Sequence, residues 1–129
     1  MNRKDYLLLR QLKANGFEIA DRNKILPHSK EGVKHFMVKA LVSKILYDRG
    51  YVFLTEAPVS VGDSTAYIDV FDYSNGIAYE VQGNFNESIK NAKEAIFKSD
   101  IVKDVIFIKL DEISNEVFIS YKQLEKIVI

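Results

Sequence analysis

The sequence predicts an α/β fold in which a small mixed central sheet is flanked by helices. Three observations carry this. The stretch YIDVFDYSNGIAYEVQ, Tyr67 to Gln82, sets two apolar runs around Ser74-Asn75-Gly76, the signature of a β-hairpin. DVIFIKL, 104–110, is a continuous apolar run, the pattern of a strand buried on both faces. Segments of helical period precede the hairpin and separate it from that run, so the core order reads helix–strand–strand–strand–helix–strand.

Taken in order, residues 3–14 form a first helix that stops at Asn15-Gly16. Residues 17–28 are irregular. Ser29 caps a second helix with Glu31 in its first turn, where negative charge suits the helix N-terminus, and that helix ends at Arg49-Gly50. A strand over 51–56 is broken at Pro58. The hairpin strands span about 66–72 and 77–82. A helix over about 86–99 carries Ile89, Ala92, Ala95 and Ile96 on one stripe. EVFIS (116–120) reads as one more short strand, and YKQLEKIVI as a closing helix. The 129 residues are expected to form one domain: a helical extension (1–28), a core (29–110) and a C-terminal strand and helix (111–129).

A chain of this length with 47% hydrophobic residues can bury a core without staples. It has no cysteine, which excludes disulfides and cysteine-based metal sites. No apolar run approaches the ~18 residues of a membrane span, and the N-terminus lacks the pattern of a signal peptide. We expect a soluble cytoplasmic protein with no membrane partner, from a prokaryotic cell or a virus inside its host. The 18 basic and 18 acidic residues cancel, so bulk charge does not mark a nucleic-acid binder. No phosphate-binding glycine loop, zinc spacing or Ser/His/Asp arrangement is present.

The hairpin raises a chemical question. Strict alternation puts Tyr67, Asp69 and Phe71 on one face and Ala78, Glu80 and Gln82 on the face beside it. With Tyr73–Gly76 as the loop, Asp69 lies opposite Glu80; with Asn75-Gly76 alone, Asp69 faces Gln82 and Glu80 is its diagonal neighbour. Either register brings two carboxylates together, and like charges across a ladder destabilise it. A divalent cation resolves the conflict most simply, since Mg²⁺ binds one or two carboxylates together with water and phosphate. A third acid, Glu31, begins the preceding helix, and Glu56 at the end of the first strand is the alternative.

Asp69 followed by Glu80-Val81-Gln82 on consecutive strands resembles the PD-(D/E)XK nuclease superfamily, whose signature is an acid on the second core strand and E-x-K on the third. The resemblance covers roughly residues 29–110. It implies a restriction-endonuclease-like αβββαβ core, a metal-dependent DNA endonuclease or resolvase, and Mg²⁺ (or Mn²⁺) as cofactor. It further implies Asp69, Glu80, the Val81 carbonyl and Glu31 as metal ligands. Gln82 stands where the family's lysine sits. Branches with E-x-Q, similar to the CoiA competence proteins and to Holliday-junction-resolvase-like nucleases, pair it with H-x-x-x-K on the first core helix. This chain has His35-Phe36-Met37-Val38-Lys39 there, and Glu31, His35 and Lys39 share one stripe. The implied catalytic set is Asp69, Glu80, Gln82, His35 and Lys39. Lys90 and Lys93 on the following helix would contact DNA or supply a displaced cation. A homodimer is expected. The alternative is a nuclease fold without catalysis, kept as a nucleic-acid-binding or assembly module.

Other residues read as structural: Asp72 stabilises the turn, and Tyr73, Tyr79 and Phe85 pack. Arg3, Lys4, Arg10, Lys13, Arg22 and Lys24 give the N-terminal region a basic bias.

Overall fold

A computed structural model describes residues 3–28, 30–61, 63–83, 87–97 and 101–128. The elements are α1 (Arg3–Ala14), α2 (Val33–Asp48), β1 (Phe53–Val61), β2 (Ser64–Asp72), β3 (Ile77–Gln82), α3 (Glu87–Phe97), β4 (Asp104–Lys109) and α4 (Glu116–Glu125), with short 3-10 turns at Ile19–Asp21 and Leu110–Glu112. The chain is thus α/β, with one four-stranded sheet ordered β1-β2-β3-β4. The first three strands are antiparallel and β4 joins β3 in parallel. The helix before the strands and the helix between β3 and β4 fall where the sequence puts them. Among the described residues, no helix is long and apolar enough to cross a membrane.

Local chemistry explains the boundaries. Gly16 and Gly50 take φ of +87° and +78°, and each closes a helix with the same pair of bonds. Gly16 N donates to Lys13 O and Phe17 N to Leu12 O; Gly50 N donates to Tyr47 O and Tyr51 N to Leu46 O. In each case the residue after the glycine packs in the same cluster as its bonded partner: Phe17 with Leu12 in one, Tyr51 against Leu46 in the other. The hairpin loop is Tyr73–Gly76, because Asp72 pairs with Ile77 and Gly76 N donates to Asp72 O. Asp72, fully buried, accepts from Asn75 N and Asn75 Nδ2 at 3.1 and 2.8 Å, so it does hold the turn.

Several expectations are corrected. β1 runs through Pro58 to Val61, because it is an edge strand and proline's missing N–H costs no ladder bond on the open side. Glu31 precedes α2, whose N-cap is Gly32; Ser29 lies outside the described residues. β4, the other edge strand, is not buried on both faces: Val105 is buried while Ile106, pointing to the opposite face, is exposed. EVFIS belongs to α4, where a helix satisfies its own backbone without pairing to a sheet edge. On α3, Ala92 and Ala95 are exposed rather than buried; the side chains of Ile89 and Ile96, and all of Phe85 and Lys98, lie outside the described residues.

The sheet separates two apolar clusters. Leu12, Phe17, Leu54, Ala57, Ile68, Phe71, Ala78, Val102 and Val105 form the larger, which includes α1. Leu46, Phe53 and Val70 form the smaller, beneath α2. Ile68 and Val70 are two residues apart yet lie in different clusters, as do Phe53 and Ala57. Alternation therefore slips between the pairs Thr55–Val70 and Ala57–Ile68, where Glu56 and Asp69 stand. Glu56 adopts φ of +51°, a conformation that costs a non-glycine residue about 1–3 kcal/mol. The β2–β3 ladder likewise ends at Val70–Tyr79, one step short of Asp69 and Glu80. The expectation that Asp69 shares a face with Phe71 fails for this reason: Phe71 enters the core, and Asp69 turns towards α2.

Candidate functional site

The slip gathers acids from three elements. Glu80, on the central strand β3, is 1% exposed. Its Oε2 lies 3.4 Å from Asp69 N, and its Oε1 is buried with no hydrogen-bond partner among the described residues. Lys93 Nζ on α3 stands 4.0 Å from that oxygen. Asp69 Oδ2 accepts from Val81 N at 2.8 Å and lies 3.5 Å from His35 Nε2. The other ring nitrogen of His35 meets Glu31 Oε2. A continuous polar chain thus runs Glu31–His35–Asp69–Glu80–Lys93 across α2, the sheet and α3.

A second branch holds the first in place. Lys39 is fully buried, and its ammonium donates to Leu26 O, Glu31 Oε1 and Glu56 Oε1 at 2.6, 2.9 and 3.1 Å. Three acceptors satisfy all three donors of the ammonium. Glu31 Oε1 also accepts from His28 N, so the Glu31 carboxylate ties the lead-in loop to α2, and Lys39 carries the link on to Glu56 of β1. Burial and the bonds of Lys39 explain the left-handed backbone of Glu56: the strain turns its carboxylate inward.

Proton affinities follow from these contacts. Burial pushes the Glu80 carboxyl up strongly, and the adjoining Asp69 carboxylate pushes it further. Burial also acts on Asp69, but His35, Glu80 and Val81 N–H stabilise its anion and hold it well below the carboxylate range. The two acids together keep one proton. The hydrogen bond to Asp69 raises His35, against the opposing effect of burial. Burial works to raise Glu31, but Lys39, His28 N–H and His35 overcome it and leave Glu31 lowered.

His35, Glu56 and Asp69 open onto a cleft of about 610 Å³, whose wall includes Lys30, Lys34, Tyr67 and Phe118. Lys34 is fixed there by donating to Ile113 O and Asn115 Oδ1 ahead of α4, at 2.6 and 2.8 Å. Glu80, Lys39 and Gln82 are buried and do not line the cleft. Lys90 is half-buried one turn before Lys93 on α3. Asp69, Glu80, His35 and Glu31 are thus linked in one network with Lys39 and Lys93, and Val81 enters it through its N–H. Among the described residues, no three His, Asp or Glu side chains converge as a ligand set. What converges is the Asp69–Glu80 pair, with Glu31 set behind His35.

The sequence undervalued Glu56, which reads as an exposed strand end, and did not single out Lys30 as a cleft residue. No local signal marks a left-handed glutamate in a strand. Compared with protein-family models, curated proteins and solved structures, the chain matches none.

Proposed function

We propose that this protein is a divalent-metal-dependent deoxyribonuclease in which Asp69 and Glu80 hold Mg²⁺ or Mn²⁺ and a DNA phosphodiester is hydrolysed. The buried Glu80 carboxyl carries the reading: one oxygen has no partner among the described residues and the other lies against a second acid, where the strands part. Leaving such an acceptor unpaired costs about 1–3 kcal/mol, a cost a bound cation removes. The donor set suits a hard ion, being two carboxylates and no thiolate. Mg²⁺ commonly takes one or two carboxylates and leaves its other positions to water and phosphate. Bound there, the ion supplies Lewis acidity and lowers the pKa of a bound water.

The chain's own residues take these roles. Val81 N–H pins the Asp69 carboxylate. His35, fixed by Glu31, presents positive charge beside Asp69 at the cleft wall, where a scissile phosphate would meet it. Lys39 is a positioning residue that holds Glu31 and Glu56 and is too buried to touch DNA. Lys93, 4.0 Å from Glu80, stands in for the lysine that Gln82 replaces; Gln82 orients water. Lys90 extends the same helix face towards the DNA backbone. Two copies of the chain would offer one site to each strand, which is why the reading includes a homodimer. The resemblance of Asp69 and Glu80-Val81-Gln82 to the PD-(D/E)XK pattern supports the same assignment.

The test is cleavage of supercoiled, linear, single-stranded and four-way-junction DNA with Mg²⁺ or Mn²⁺, comparing wild type with Asp69→Ala and Glu80→Ala. Metal-dependent cutting that falls to background in both variants is expected. Cutting that survives both substitutions sinks the site assignment. No cutting by wild type, with DNA still bound, leaves the binding-module reading in its place.

A further inference from the structure

At the far end of α2 from His35 lies a second concave surface that the acid network does not use. Two hollows, of about 490 and 890 Å³, share Leu8, Gly50, Tyr51 and Val52 and so adjoin as one groove between α1 and the loop that follows α2. Arg22 lines one hollow; Arg3 and Arg49 line the other. No carboxylate is among the described lining residues. In a chain with 18 basic and 18 acidic residues, a groove whose charged lining is arginine alone departs from the average surface.

The arginines are also uncommitted. Among the described residues none of the three forms an ion pair. Arg22 uses one donor on Ile19 O at 2.9 Å, which fixes the side chain and leaves most of its fork open. Asp48, the acid beside Arg49, is drawn instead to Lys44. The floor is of another kind: Leu8, Val52 and the ring of Tyr51, with Tyr47 at 59% exposure in the wall. Arginine forks match phosphate geometry, and tyrosine rings accept the faces of unpaired bases.

We propose that this groove binds single-stranded nucleic acid, with Arg3, Arg22 and Arg49 on successive phosphates and bases laid on Tyr51 and Tyr47. A duplex keeps its base faces stacked inside and would leave the apolar floor unfilled. A free nucleotide would leave most of the groove unfilled, since small-molecule pockets measure about 300–1,000 Å³ and the two hollows adjoin beyond that. The groove takes up Arg3 and Arg22, two of the six residues of the N-terminal basic bias, neither of which belongs to the acid site. α2 has 16 residues and so spans about 24 Å between the two surfaces. The proposal stands whether or not Asp69 and Glu80 cut DNA.

The experiment is fluorescence anisotropy of a labelled 12-nucleotide oligothymidine, in EDTA so that no metal chemistry contributes, over a series of KCl concentrations. The proteins are wild type, Arg49→Gln, Arg22→Gln/Arg49→Gln and, as a charge control on α4, Lys122→Gln. The slope of log K against log salt should fall by about 0.7 for Arg49→Gln and about 1.4 for the double variant, and stay unchanged for Lys122→Gln. Affinity at 100 mM KCl should drop at least tenfold in the double variant. Arg49 is exposed, so its single variant reads the groove even where loss of the Arg22 bond disturbs folding. Wild-type slope in both arginine variants overturns the proposal. So does a duplex of equal length that binds as tightly and depends equally on the arginines.

Discussion

Replacing Glu80 with glutamine is expected to stabilise the metal-free protein while abolishing metal-dependent cleavage. Glu80 is 1% exposed, and burial together with Asp69 lifts its pKa from 4.5 to about 10. At neutral pH the folded chain keeps a proton that the unfolded chain has released. Stability therefore falls as pH rises from 4.5 towards about 10, because the folded state binds more protons throughout that window. Each pH unit costs about 1.4 kcal/mol, so the loss reaches about 3 kcal/mol by pH 7. Glutamine is neutral in both states, close in shape, and still offers N–H to Asp69. It removes that loss and forfeits only the partly exposed Lys93 contact, which is worth little. For a domain of this size one kcal/mol moves Tm by about 3–5 °C, so Glu80→Gln should melt about 10 °C higher at pH 7 and almost level with wild type at pH 4.5. Circular-dichroism melts in EDTA at pH 4.5, 7 and 8.5 measure this. A variant that melts below wild type at pH 7, or a wild-type Tm that does not fall between pH 5 and 9, refutes the shared proton.

Three further outcomes are expected. Lys39→Met leaves Glu31 and Glu56 without their cation and should destabilise by about 3–5 kcal/mol in urea melts, with cutting lost in proportion to unfolding. In EDTA, wild-type stability should peak at about pH 5. Above that it loses the contributions of Glu80 and of His35, whose raised pKa makes its stabilisation complete below 6.5 and lost as pH rises through the folded value; below it, protonation of Glu31 and Asp69, both lowered, removes theirs. A urea series at half-unit pH steps would show a monotonic rise to pH 8 if this assignment is wrong. Lys93→Ala should cut kcat by about 10²-fold or more, as loss of one electrostatic donor does, and Gln82→Lys should restore part of it in the same chain. Failure of Gln82→Lys to rescue, with both proteins folded, would place the cation elsewhere.

The parts of the fold that were legible in the sequence are those set by local chemistry. Asn15-Gly16 and Arg49-Gly50 stop helices because left-handed glycine closes the last turn. Ser74-Asn75-Gly76 marks the hairpin, and of the two registers open to it the structure takes the one with Tyr73–Gly76 as loop. The acid pair was legible too, because both registers bring Asp69 and Glu80 together. What escaped depends on neighbours distant in sequence. Pro58 ends a strand only if both edges need hydrogen bonds, and β1 has one free edge. The apolar run of β4 says nothing of whether both faces of the sheet are covered there, and Ile106 is exposed. EVFIS has strand composition, but a helix satisfies its own backbone without a partner strand, and that choice is not written in five residues.

The deepest miss, the slip at Glu56 and Asp69, is also what makes the site. A regular ladder would send Asp69 to the same side as Phe71, into apolar surroundings. The slip sends it towards His35 on α2, and the left-handed turn at Glu56 is what the β1 backbone must adopt opposite it. Such a turn survives only where its surroundings over-determine it. Lys39 does this by binding Glu56, Glu31 and Leu26 O at once. The H-x-x-x-K spacing therefore carries two separable duties: His35 faces the cleft, and Lys39 fixes the backbone that lets Asp69 face His35. Exchanging Lys39 for arginine tests that division. Its wider fork cannot fit three acceptors set for an ammonium, so cleavage should fall although the positive charge is kept.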